Sequence, residues 1–340
     1  MALTNEAAWL HKPNEKLQVF SAEIGKPGPG EALIKNHAVA INPVNWKIQD
    51  GVFPSSVFPR IMGNDLAGEI VEVGEDVSGF SKGQRVLAHA VGIAIPKPQY
   101  GSFQKYTVVP VVGVCPLPDK ISYEEAAVLP LALSTATDGL FHEDKLGLPK
   151  PSHEVQKSDK ALLVWGGSSS VGSAVIQVAV AAGLTVIATA SKKNFEFCKE
   201  LGATEVFDYN SPSIVGDLTA ALQNHNLAGA YDAIGCRDTQ LNTAQVLAQL
   251  GGGNMAVVLP PSDEIPATVN AKGVFATEIL LQFKELGNAL YHDFLPEALQ
   301  SGQIKPAPKP TIVGHGLEFI QAGLDRSRQG VSAVKLVVAL

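Results

Sequence analysis

The apolar positions of this chain change rhythm after its first third. Up to about residue 130 they fall in short alternating runs at 32–41, 66–73, 85–90 and 103–109, with glycine and proline between them. Alternation over a few residues turns one face of a strand inward. Such runs at close spacing predict an all-β module, a barrel. Further on, apolar strands at 162–165, 185–190, 205–209, 231–234 and 255–259 alternate with helical patterns. In the first of these helices Val171, Ala174, Val175, Val178 and Ala182 recur at three- and four-residue steps and share a face. Strands alternating with helices predict a parallel, doubly wound sheet. The polar, proline-bearing stretch 146–160 reads as a surface loop before the first strand. A long helical pattern follows Ala276, and 334–338 reads as a closing strand.

The junction of the first strand and helix, ALLVWGGSSSVG at 161–172, carries the strongest chemical signal. A strand that runs through a small-residue turn into a helix gathers backbone N–H groups at the positive end of the helix dipole, where a pyrophosphate binds. The turn is irregular for a dinucleotide site. Gly167 and Gly172 hold the outer glycine positions, and Ser169 stands at the middle one, with Ser168, Ser170 and Val171 between. Serine is tolerated there if its backbone keeps ordinary dihedrals, and its hydroxyl adds a donor. A nucleophile elbow is excluded because no glycine stands two residues after Ser168 or Ser169. A P-loop is excluded because no Gly-Lys-Ser/Thr follows.

The end of the second strand selects the nucleotide. An NAD site places an acid about 20 residues beyond the glycines. Here 186–195 contains none. Ser191, Lys192, Lys193 and Asn194 stand there instead. These donors and charges suit a 2′-phosphate, so NADPH is expected over NADH. Tyr209, at the end of the third strand, is expected to reach the same phosphate. Ser191 also reads as a helix N-cap, a role compatible with phosphate contact.

Bulk properties narrow the class. The 340 residues suffice for about two domains. A formal charge of −7 disfavours broad binding to nucleic acid or anionic membrane. Residues 1–13 lack a basic region followed by an apolar run, and the apolar stretch 171–190 is interrupted by Gly183. No signal peptide or membrane span is expected, and the cytoplasm is the default location. Cys115, Cys198 and Cys236 are too scattered for a disulfide framework or a multi-cysteine zinc site.

Taken together, AINPVNWKIQDG at 40–51, the segment 63–86, GSFQKYTVV at 101–109, the serine-bearing turn and VKLVVAL at 334–340 resemble the medium-chain dehydrogenase/reductase superfamily. LGLPKPS at 146–152, GGSSS at 166–170 and the run 189–209 look most like fungal enoyl reductases that act in trans with polyketide synthases. The resemblance implies an α/β chain in which a Rossmann domain at 131–274 is inserted into a GroES-like β-barrel domain formed by 1–130 and 275–340. Zinc-dependent members carry a cysteine in the segment matching INPVNWK and Gly-His-Glu in the segment matching GND. Here Asn42, Pro43 and Val44, then Gly63, Asn64 and Asp65, take those places. No zinc site assembles, and reduction of a polarised C=C bond is expected instead of alcohol oxidation.

By family position, Val44, Asn45, Trp46 and Lys47 are expected near the nicotinamide half of the cofactor. Val258 and Leu259 are expected to offer backbone to it, and Val331 and Ser332 to close the pocket. Leu131, Ser134, Thr135 and Asp138, with Val274 and Phe275, are expected to border the substrate, an enoyl compound that is either a small molecule or bound to an acyl carrier, with a polyketide synthase open as partner. Lys47 and Thr135 are the catalytic candidates. Thr135 and Thr137 also read as hydroxyls of a helix N-terminus. Lys47, Tyr100 and solvent stay open as proton donors. A quinone or enone reductase acting on small free substrates, or a non-catalytic NADPH-binding protein, are the alternatives. Monomer and homodimer are both open.

Overall fold

The computed structural model describes residues 4–53 and 57–340, so residues 1–3 of the N-terminal segment lie outside the described residues. The chain divides into two compact units. The first is Met1–Leu131 with Tyr291–Pro296 and Pro306–Leu340. The second is Ala132–Leu290 with Glu297–Lys305. Residues 275–290 and 297–305, expected with the barrel, thus belong to the second unit. Ile279, Leu280 and Leu286 are buried there. Gln177 holds Lys305 from both sides: its Nε2 donates to the Lys305 carbonyl at 3.2 Å, and its Oε1 accepts from the Lys305 N–H at 2.8 Å.

In the first unit the alternating runs become strands. Glu31–Ala40, Asp65–Val73, Arg85–His89 and Val114–Pro116 lie side by side, and Tyr106–Pro110 also pairs with Glu31–Ala40. These neighbours are antiparallel. The C-terminal strand Val334–Ala339 joins Glu31–Ala40 antiparallel, and Lys309–His315 joins it in parallel. A second sheet orders Gln18–Ala22, Asn5–Leu10 and Arg60–Ile61. The inward faces of both sheets meet in one core that contains Leu10, Ile34, Leu66, Ile70, Phe103 and Val338, with Ile320 and Leu324 from a late helix.

The second unit is built on six parallel strands in the order Glu205–Asp208, Thr185–Ala190, Lys160–Trp165, Asn226–Asp232, Gly253–Val257 and Val269–Gly273. All five expected strands are present. The fourth begins five residues early, and the sixth, Val269–Gly273, had no apolar run to announce it. The chain moves outward from Lys160–Trp165 in one direction and then resumes on its other side at Asn226–Asp232. This reversal opens the crevice in which α/β sheets bind ligands. The helix Ser170–Ala181 buries Ala174, Val175 and Val178 as expected. The helical pattern after Ala276 is broken into Glu278–Leu281, Lys284–Asn288, a π-helical stretch Ala289–Phe294, and Leu295–Ser301. The loop at 146–160 is only partly a surface feature, because Leu146 and Leu148 are buried. Among the described residues no helix is long and apolar enough to cross a membrane.

One close approach limits the sequence at the first strand–helix junction. A Cβ on Gly172 would lie 2.1 Å from the carbonyl oxygen of Gly166. Gly166 itself has φ +80°, a conformation side chains resist. Gly172→Ala is expected to lower stability by about 1–2 kcal/mol, overpacking outweighing the better helix propensity of alanine. Urea unfolding checks this, and a variant as stable as the parent would contradict the packing limit.

Candidate active site

The serine-bearing turn owes its geometry to its neighbours. Gly167 N–H donates to the Thr189 carbonyl at 2.8 Å, and Gly166 N–H donates to Thr189 Oγ1 at 3.0 Å. The turn is thereby stitched to the end of the second strand. Ser169 is the helix N-cap, extended at φ −72° and ψ 167°, and its hydroxyl accepts from Gly172 N–H at 3.0 Å. The ordinary dihedrals explain why serine is tolerated at the middle position. The unusual conformation falls one residue before the fingerprint, on Gly166. The N–H groups of Ser168, Ser170 and Val171 make no hydrogen bond among the described residues. Ser170 Oγ is buried and also lacks a partner there. Free donors at a helix N-terminus beside an orphaned hydroxyl fit a bound pyrophosphate.

The second-strand end meets the same turn. Asn194 is buried and donates to Ser168 Oγ at 3.3 Å and Ser191 Oγ at 3.1 Å, so it links the two candidate phosphate segments. Lys192 and Lys193 are exposed. Tyr209 is exposed too, and its N–H reaches back to the Ala190 carbonyl at 3.4 Å. The register of the sheet supplies a residue that sequence reasoning missed. Asp208 pairs with Ala190 across the strands, and its carboxylate stands 4.0 Å from Lys192 Nζ. Hydrogen bonds from the Asn210 backbone and side chain hold the Asp208 carboxyl below its ordinary value. At the crevice, Val258 and Leu259 are half-buried after the fifth strand, with Val258 N–H donating to the Asp232 carbonyl at 3.2 Å.

The expected substrate border is less open than its sequence suggests. Ser134, Thr135, Thr137 and Asp138 lie in the middle of the helix Pro130–Phe141, so the threonines are not N-terminal hydroxyls. Ser134 and Asp138 have no exposed surface. Asp138 is engaged by the Lys145 ammonium and by the Phe275 N–H at 3.0 Å, which removes it from direct substrate contact. The Thr135 carbonyl accepts from Tyr231 OH at 2.7 Å. Val274 is half-buried and the Phe275 ring is exposed, so these two remain on the surface of the unit.

In the first unit a buried polar network occupies the segments in which no zinc site is expected to assemble. Asp65 accepts from Asn42 Nδ2 at 2.7 Å, from Leu131 N–H at 2.6 Å and from the Lys335 ammonium at 3.1 Å. Lys335 also donates to Asn42 Oδ1. Asn45 spans from the Asn42 N–H, at 2.8 Å, to Asn64 Oδ1, at 3.1 Å. The Asn45 side chain is therefore committed inward and not to a nicotinamide. A zinc ion does not fit this donor set. It contains no thiolate, and its carboxylate already neutralises an ammonium that would repel the metal.

Lys47 is half-buried, 5.8 Å from the Trp46 ring centroid, with no ion pair among the described residues. Val44 is half-buried and Val331 and Ser332 are exposed. Tyr100 is a poor proton donor. Burial and its hydrogen bond to Glu31, at 2.8 Å, push its phenol up to about 12.

A barrel module followed by a doubly wound sheet with a pyrophosphate-type turn defines a two-module dehydrogenase or reductase. Residues 28–119 match the alcohol dehydrogenase GroES-like domain, and residues 170–299 match the zinc-binding dehydrogenase domain. The chain is 43% identical to a protein named dehydrogenase orsE from Emericella nidulans, with 99% of each chain covered. It is 40% identical to a protein named trans-enoyl reductase himH from Aspergillus japonicus, covering all of this chain and 98% of the other. A crystal structure of an alcohol dehydrogenase superfamily protein from Novosphingobium aromaticivorans superposes with a TM-score of 0.81 at 25% identity, covering 99% of this chain and all of the other. The chain belongs to the medium-chain dehydrogenase/reductase superfamily of oxidoreductases.

The buried network has a pH signature. His89 is fully buried, and desolvation pushes its imidazole down to about 4. The Asp65 carboxylate opposes that shift, and the Lys335 ammonium reinforces it. In the unfolded chain the imidazole titrates near its ordinary 6.5. Between these values the unfolded state binds the extra proton. Stability present above pH 6.5 is therefore lost as pH falls toward 4, by about 3 kcal/mol from this group. His89→Gln is expected to flatten that part of the stability-against-pH curve measured by urea unfolding. Curves of equal slope for both proteins would refute the assignment.

Proposed function

We propose that this protein is an NADPH-dependent, zinc-independent reductase of the C=C bond of an α,β-unsaturated carbonyl, an enoyl thioester of polyketide type presented by a partner synthase. The observation that carries the reaction is the full-length 40% identity to a chain named a trans-enoyl reductase. A bound nicotinamide would supply hydride for the β-carbon of such a substrate.

The chain's own residues bind and orient. The N–H groups of Ser168, Ser170 and Val171 and the orphaned Ser170 hydroxyl are assigned to the pyrophosphate, with Gly167 and Gly172 permitting the close turn. Ser191, Lys192, Lys193, Asn194 and Tyr209 are assigned to the 2′-phosphate. The absence of an acid between 186 and 195 favours a phosphate over a bare ribose hydroxyl. Val44, Trp46, Lys47, Val258, Leu259, Val331 and Ser332 are the candidates for the nicotinamide half. Leu131, Thr135, Val274 and Phe275 are those for the acyl chain. Lys47, whose charge no carboxylate neutralises among the described residues, is the candidate to stabilise or protonate an enolate.

Absorbance loss of NADPH with an enoyl thioester, a quinone and a simple enone tests the reading. Turnover of the thioester alone is expected. Turnover of the quinone alone, or faster reaction with NADH, would overturn it. Lys192→Ala combined with Lys193→Ala is expected to weaken NADPH binding about tenfold or more while leaving NADH binding nearly unchanged. Fluorescence titration with both nucleotides reads the difference.

A further inference from the structure

Within the second unit a lysine fills a cluster of metal-ligand type. Asp138 and His142 are four residues apart on the helix Pro130–Phe141 and its continuation, so they share a side. A ring nitrogen of His142, a carboxylate oxygen of Asp138 and one of Glu278 lie within 4.8 Å of one another. The cation among them is covalent to the chain. Lys145, with 7% of its side chain exposed, places its ammonium against Asp138 Oδ2 and 3.1 Å from Glu278 Oε2. His142 turns Nδ1 to the Asp144 N–H at 3.2 Å and meets Phe283 edge-on, 4.1 Å between ring centroids.

The same Asp138 oxygen that binds Lys145 accepts the Phe275 N–H. This bond matters because the sixth strand ends at Gly273 and the next helix begins at Glu278. Between them the backbone is held by Val274 N–H to the Val257 carbonyl at 2.8 Å, by Phe275 N–H to Asp138, and by Glu278 N–H to the Phe275 carbonyl at 2.9 Å. Lys145 therefore grips this short segment twice. It grips it at Glu278 directly and at Phe275 through Asp138. Two carboxylates and one ammonium leave a net negative charge, and burial raises the Asp138 carboxyl even with the lysine beside it. Removing the ammonium would leave the Asp138 carboxyl without the charge that opposes the effect of its burial.

We propose that Lys145 is a positioning residue for the acyl-binding wall: its ammonium, bridging Asp138 and Glu278, fixes residues 274–278 and so sets where the exposed Phe275 ring stands. This rests on the reading of Val274 and Phe275 as a substrate border. Lys145 touches neither cofactor nor reacting atoms in this role. Its loss changes the fit of the acyl chain, and the phosphate turn on the other segments of the sheet is left as it was.

The test combines kinetics with amide hydrogen exchange on the full chain. Lys145→Met is expected to raise KM for the enoyl thioester about tenfold with kcat within about threefold. NADPH affinity should stay within twofold. Exchange at Phe275 and Glu278 should accelerate at least tenfold, and exchange in Lys160–Trp165 should not change. Glu278→Gln, which keeps the Asp138–Lys145 pair, guards against a variant that fails to fold and is expected to show a smaller shift in the same two readouts. Unchanged exchange at 275–278 in both variants would overturn the proposal. So would a joint fall of NADPH affinity, kcat and protection across the unit, which would mark a merely structural lysine. If the parent protein turns over no thioester, the substrate reading fails, and the exchange measurement alone decides whether Lys145 anchors the segment.

Discussion

An ammonium withdrawn from water must be neutralised where it lies, and among the described residues this chain meets that condition once in each unit. Lys335 is buried against Asp65 and Asn42, and Lys145 against Asp138 and Glu278. Breaking one partner of such a pair costs about 3–5 kcal/mol, because the remaining charge has no solvent. The pairs consequently dictate what surrounds them. Asp65 accepts from three donors in three distant parts of the chain, which fixes the start of the helix Pro43–Gln49, the C-terminal strand and the backbone at Leu131. Asp138 does the same for the turn after the sixth strand. An apolar cluster could fill the same volumes, but it would not specify direction. Charge-assisted bonds do.

The serine-bearing turn obeys a different constraint, one of space. Gly172 leaves no room for a methyl group against the Gly166 carbonyl, and Gly167 sits 3.0 Å, at a hypothetical Cβ, from both Ala188 and Ile176. Nothing comparable crowds Ser169, which is extended and caps the helix. The substitution that makes the motif irregular falls at the position whose backbone has no special demand. It also places a hydroxyl that accepts from Gly172 and keeps its own proton available. Irregularity in the letters is thus regularity in the dihedrals.

How much of this was legible depended on the range of each interaction. Strands such as Lys160–Trp165 and Thr185–Ala190 declare themselves because both faces are covered and nearly every residue is apolar. Val269–Gly273 reads VNAKG, with three exposed positions at the edge of the sheet, and carries no such signal. The same holds for Asn226–Leu227 at the start of the fourth strand. The turn, the serines and the lysines of the candidate phosphate site are local, and a linear reading finds them. Asp138 was misjudged as a substrate contact because Glu278 is 140 residues away and a lysine seven positions on has no fixed direction in a loop. Tyr100 reads as a candidate proton donor in the sequence, but its hydroxyl donates to Glu31, 69 residues earlier, and burial and that bond make it hold its proton more tightly. Periodicity reports which face is buried. It does not report which charges meet.

The distribution of lysines carries that distinction into function. A lysine acts on a ligand only when its charge is not already held by the protein. Lys335 and Lys145 are fully committed, each to a buried carboxylate, and serve the fold. Lys192 is exposed and only loosely opposed by Asp208, 4.0 Å away across solvent, so its charge is not held by the fold. Lys47 is the intermediate case. It is half-buried, so its field is less screened than that of a surface lysine, and it faces an aromatic ring instead of a carboxylate. A ring face attracts the cation without neutralising it. Among the described lysines discussed above, Lys47 combines partial burial with an unneutralised charge, the combination that the proposed reaction would use to stabilise developing negative charge on a substrate oxygen.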